Sequence, residues 1–128
     1  SKANTDSGVF NAVQYAGIAA LDSCDDFTDK MLAIYAARRE AVLNTLKDLG
    51  WNYEAPKGTF YLWVPVPKGY TSASFCDFLF EQCHVVIAPG AAYGVNGEGY
   101  VRFSLTVEED RLKEALQRMR DKLPKLEF

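Results

Sequence analysis

Residues 89–106, PGAAYGVNGEGYVRFSLT, crowd Gly90, Gly94, Gly97 and Gly99 into ten positions and then enter an alternating stretch that carries one arginine, Arg102. Glycines can offer bare backbone N–H groups to a phosphate, and an arginine offers a planar fork that grips a carboxylate or phosphate with two hydrogen bonds. The phosphate templates fail. A Walker loop needs GxxxxGK[ST], a dinucleotide fingerprint needs GxGxxG, and both lie between a strand and a helix. Here Gly97-x-Gly99-x-x-Arg102 puts arginine where the third glycine belongs, and the loop feeds a strand. Two readings of the glycines stay open. They form a tight connection between strands, with Asn96-Gly97 as a turn dipeptide, or they present a backbone edge to a docked group.

Alternation in YVRFSL sends Val101, Phe103 and Leu105 to one side of the strand, and Tyr100, Arg102 and Ser104 to the other. Arg102 therefore either pairs with a surface Asp or Glu or stands as an anion clamp. Other candidates are weaker. Arg38-Arg39-Glu40 reads as the solvated face of a helix, with Glu40 and Asp48 available for pairing. His84 has no carboxylate or cysteine constellation beside it and reads as packing or solvent-facing, while Phe75, Phe78 and Phe80 read as core or near-core aromatics. Cys24, Cys76 and Cys83 form no CxxC pair, so they are expected to be reduced, buried thiols, and no zinc or other metal site is expected. No Ser, His and acid grouping carries a hydrolase signature.

The elements that must position these residues follow from periodicity. Residues 8–22 place Val9, Ala12, Val13, Ala16, Ala19 and Ala20 on a small-residue helical face suited to close packing. A second helix, capped by Asp25, Asp26 or Thr28, runs to about Leu49 and ends at Gly50. The period then drops to two: a short strand and turn in WNYEAPKG, a strand in TFYLWVPV, and a stop at Pro65 and Pro67. A helix capped by Thr71 or Ser72 reaches about Gln82, HVVIAP reads as a short buried strand, and Thr106 with Glu109 has the form of a capping box for a last helix ending at Pro124. The expected class is α/β: a small mixed or antiparallel sheet of three to four strands packed with helices, plus a preceding helix.

The chain's 128 residues amount to about one domain, long enough to bury roughly two-thirds of its unfolded surface. A formal net charge of −3 gives no basic field for nucleic acid. No 18-residue apolar run and no leader pattern occur, so neither a membrane span nor a signal peptide is expected, and the cysteine usage points to the cytoplasm.

The glycine loop and strand together resemble the PG-x-x-aromatic-G…GEG-aromatic-hydrophobic-R-[FI]-[SA]-L-T signature of fold-type I aminotransferases that use pyridoxal phosphate. YAARREAVLNTLKDLGW, PKGTFYLWVPVPKGYTSASF and NTDSGVFNAVQYAGIAAL extend the likeness over nearly the whole chain, the last two being similar in particular to bacterial LL-diaminopimelate aminotransferases. The resemblance implies the C-terminal portion of such an enzyme: residues 1–28 a helix from the interdomain or large-domain side, and 29–128 the small domain. It implies that Arg102 binds the substrate α-carboxylate and that Asn11 reaches the substrate pocket of a dimer partner. The intact homodimer would exchange an amino group between an amino acid and a 2-oxo acid, LL-diaminopimelate with 2-oxoglutarate in that subfamily. The family's Schiff-base lysine sits in an S-x-x-K segment followed by G-x-R, which has no counterpart here; Lys2, followed by ANTD, does not fit. The chain alone is thus expected to lack catalytic residues, to bind no pyridoxal phosphate covalently and to be inactive. Two competing readings remain. One is a self-standing α/β amino-acid-binding or regulatory module; the other is a different fold-type I enzyme, such as a carbon–sulfur lyase or a cyclopropane-carboxylate synthase.

Overall fold

The computed structural model describes residues 8–51 and 53–128. Two compact units divide the chain, Ser1–Ile34 and Tyr35–Phe128. The first holds helix α1 (Asn11–Ser23) and the opening turns of α2 (Asp25–Asp48), with Cys24 alone between the two helices. Small residues do set the period of α1, but none of its residues is buried, and every described residue as far as Lys30 is exposed. Cys24 is exposed with them, so the expectation of a buried thiol fails there, while Cys83 is buried and Cys76 partly so.

The second unit carries the core. Along α2, Val42, Leu43, Thr45 and Leu46 turn inward, and the helix ends where Gly50 takes a φ of +81° and the Trp51 N–H reaches the Leu46 carbonyl at 2.8 Å. After it come β1 (Tyr61–Pro65), α3 (Ser72–Cys83), β2 (Ala88–Pro89), two 3₁₀ turns (Gly90–Tyr93 and Val95–Gly97), β3 (Tyr100–Ser104) and α4 (Glu109–Lys122). The three strands form one antiparallel sheet in the order β1-β3-β2. Leu62, Val64, Val101 and Phe103 point from it into a core shared with Leu46, Phe75, Leu79, Leu116 and Met119. Each fully buried aliphatic side chain of this kind contributes roughly 1.5–3 kcal/mol. Among the described residues no helix is long and apolar enough to cross a membrane.

Three local expectations give way to tertiary context. No strand forms among the described residues of 51–58, because side chains hold the segment instead: the Trp51 indole N–H donates to the Pro65 carbonyl (2.8 Å) and the Tyr53 hydroxyl to that of Leu43 (3.0 Å). HVVIAP is strand only at Ala88–Pro89. His84 closes α3 in the left-handed region (φ 54°), and Val86 lies exposed. The Thr106 capping box is also absent: Glu108 occupies the N-cap without a side-chain bond, and the Thr106 hydroxyl pairs with that of Ser104 at 2.8 Å. The expected cap on α3 does form, Thr71 and Ser74 exchanging hydrogen bonds as a capping box.

Candidate functional site

The register gives Arg102 its place. On the central strand β3 it faces Trp63 of β1 on one side and Ala88 of β2 on the other, on the sheet face opposite the core. Tyr61, Trp63, Tyr100 and Ser104 share that face through the two-residue alternation of paired strands. The guanidinium carbon lies 3.9 Å from the centre of the Tyr61 ring and 4.5 Å from that of Tyr93, which arrives from the first 3₁₀ turn. Trp63 meets Tyr93 edge-on at 5.7 Å and stacks with Tyr100 at 6.0 Å, so the rings brace one another.

No carboxylate pairs with Arg102 among the described residues, and its Nε is buried without an acceptor. The surface ion-pair reading is therefore corrected: ring contacts, not an acidic neighbour, hold this arginine. Packing against rings engages the π-face of a guanidinium, whereas its N–H donors lie in the plane. The group that remains is a donor fork with no hydrogen-bond or ion-pair partner among the described residues.

The loop that delivers Tyr93 is built by backbone approach. A Cβ on Gly90 would collide with the carbonyl oxygens of Gly97 and Tyr100, and one on Gly97 with the Gly90 carbonyl, so the two 3₁₀ turns pack main chain on main chain. Of the two readings of the glycines, the tight connection between strands is the one built. Glu98 fastens it to α3: its carboxylate accepts from the Ser72 N–H and hydroxyl, both at 2.8 Å, and from the Gly99 N–H at 3.0 Å. Buried Ser72 in turn accepts from the Ala91 N–H at 3.3 Å. These donors, led by the Ser72 backbone N–H, hold the Glu98 carboxyl below its ordinary range.

The other candidates lie apart from this constellation in kind. Asn11 opens α1, exposed, with its side-chain oxygen 3.5 Å from the Gln14 amide nitrogen; it belongs to the Ser1–Ile34 unit. Arg38 is not on a solvated face, for its side chain is 11% exposed and its Nη1 donates to the Leu105 carbonyl at 3.0 Å, tying α2 to the end of β3. Arg39 reaches the Pro56 carbonyl at 3.4 Å, and Asp48 pairs with Arg120 rather than with a neighbour on its own helix. Phe80 is exposed, contrary to its expected core or near-core position, and meets His84 edge-on at 6.2 Å, while Phe75 is fully buried. Among the described residues no group of three His, Cys, Asp or Glu side chains could hold a metal ion. Sequence reasoning missed Tyr61, Tyr93 and the Ser72–Glu98 latch. Tyr61 and Trp63 alternate with Leu62 and Val64 along β1, but only the strand register sets them beside Arg102.

A family model, aminotransferase class I and II, matches residues 3–119. The LL-diaminopimelate aminotransferase of Moorella thermoacetica is 49% identical over 127 residues, 99% of this chain and 33% of that protein. Among solved structures, an aminotransferase from Staphylococcus aureus superposes with a TM-score of 0.83 at 34% identity, covering 93% of this chain and 32% of the other. The L,L-diaminopimelate aminotransferase of Chlamydomonas reinhardtii does so at 0.79 with 28% identity, covering 89% and 28%. This chain thus spans about a third of the length of the curated relatives it matches. With the family model reaching across both units and the glycine loop, the chain belongs to the class I and II aminotransferases.

Proposed function

We propose that this chain is the substrate-carboxylate-binding portion of a transaminase that moves an amino group between an amino acid and a 2-oxo acid, with LL-diaminopimelate, the compound in the names of its relatives, as the amino acid and 2-oxoglutarate as the 2-oxo acid we assign. Arg102 grips the α-carboxylate. The observation that carries this role is a strand-borne guanidinium packed on two tyrosine rings, with no carboxylate of its own chain beside it among the described residues. A carboxylate arriving in the guanidinium plane completes a charge-assisted, two-pronged pair. Residues 29–128 act as the small domain and 1–28 belong with the large-domain side, where Asn11 contributes to the pocket of the partner in a cytoplasmic homodimer.

The described residues do not fit pyridoxal phosphate itself. Each described lysine is exposed, and Gly90 and Gly97 direct their bare backbone at one another rather than at a phosphate. Lys2 lies outside the described residues. In this proposal the chain by itself is catalytically silent, its part being to bind and orient substrate. In the full-length transaminase, Arg102→Ala should lose on the order of 2–4 kcal/mol of transition-state binding, read from kcat/KM for amino-acid donors. An unchanged kcat/KM would overturn the assignment.

A further inference from the structure

We infer that Tyr61 and Tyr93 are positioning residues for Arg102, holding its guanidinium by ring contact so that its in-plane donors are fixed before any ligand arrives. The inference builds on the carboxylate-gripping role proposed above. An arginine in a protein is ordinarily oriented by an acidic partner or by carbonyl acceptors, as Arg38 is by the Leu105 carbonyl. Arg102 has no such bond among the described residues, and its buried Nε finds no acceptor. What touches it instead are two rings from different elements: Tyr61 on the edge strand β1, and Tyr93 on the 3₁₀ turn that Glu98 and Ser72 fasten to α3. An acidic partner would compete with the substrate carboxylate for the same donors. Aromatic rings restrain the side chain without occupying them. Ordering a long side chain beforehand also removes part of the entropy cost of binding.

The ring, not the hydroxyl, carries this role, so phenylalanine should replace either tyrosine and leucine should not. The test uses the full 128-residue chain. The Arg102 Nε–Hε resonance, identified by its loss in Arg102→Lys, is followed in Y61F, Y61L, Y93F and Y93L, with and without L-glutamate as the carboxylate probe. The ring-shifted position should persist in both Phe variants and collapse toward that of a free arginine in the Leu variants. The glutamate response should weaken by about ten-fold with it, between the scales of an exposed and a desolvated cation–π contact. Tyr93 is half exposed, so Y93L tests the idea without disturbing the core even where Y61L perturbs β1. Leu variants that leave both resonance and glutamate response unchanged, or Phe variants that lose them as leucine does, overturn the positioning role. A ring-dependent resonance that glutamate never perturbs in the unmodified chain would keep the positioning role and overturn the carboxylate reading instead.

Discussion

The two faces of the three-stranded sheet are made by the same residues' neighbours, yet they are chemically opposite. On one face Leu62 and Val64 of β1 meet Phe103 and Val101 of β3, all buried. One position along each strand, on the other face, Trp63 meets Arg102 and Tyr61 meets Ser104, with Trp63 and Tyr100 each 40% exposed. The first face is an apolar core of buried side chains. The second joins aromatic surface to a cation that has no acidic partner among the described residues. The contrast separates what holds the unit together from what it offers to a ligand, and it can be broken deliberately at adjacent register positions.

Leu62→Ala should have the largest effect, lowering stability by about 2–5 kcal/mol because it empties a fully enclosed site. Urea unfolding of the 128-residue chain measures this, and a loss below 1 kcal/mol would mean that the face is not packed as described. Arg102→Ala should do the reverse. It removes the ring contacts at a cost of about 1 kcal/mol in stability, while the full-length transaminase loses the 2–4 kcal/mol of transition-state binding stated above. Comparable losses at both positions in the unfolding experiment would erase the distinction between the faces.

Gly97→Ala sharpens the comparison from the loop side. A methyl group there meets the Gly90 main chain rather than a yielding side chain, so the 3₁₀ turns must separate at about 1–3 kcal/mol. Tyr93 would then leave Arg102, and the Tyr93–Arg102 contacts should vanish from nuclear Overhauser spectra while those of Tyr61 with Arg102 and the core contacts of Leu62 stay. The smallest effect is pH-dependent. Because folding lowers the Glu98 pKa, its contribution is complete above the ordinary glutamate value of about 4.3 and is lost as pH falls through the folded value. Acid titration of the chain should therefore show a limb of lost stability below about pH 4 that flattens in Glu98→Gln. An identical limb in the variant would remove Glu98 from the account.

How far the site was legible differs from residue to residue. Arg102 stood out because an alternating strand fixes the side of every residue it contains, and the glycine spacing excluded both phosphate templates without any coordinates. A cap at Thr71 or Ser72 was readable from local sequence, and the structure places it at Thr71 with Ser74 completing a capping box. Thr106 has an equally local signature, but Ser104 takes its hydroxyl and α4 begins later. Arg38 looked solvated because a helical period says which residues share a stripe, not that a carbonyl at the end of β3 lies within reach.

By itself, then, the sequence determined the helical periods, the breaks at Gly50 and near Gln82, the α/β class and the side of β3 on which Arg102 stands. All of these depend on residues within a few positions of one another. Only the tertiary structure decided that Tyr61 and Tyr93 hold the guanidinium, that Gly90 and Gly97 lie main chain to main chain, and that Glu98 fastens the loop to α3. Those partners come from separate elements, and the register that brings them together is set by burying Leu62, Val64, Val101 and Phe103 at once, a condition on the whole core that no local stretch contains.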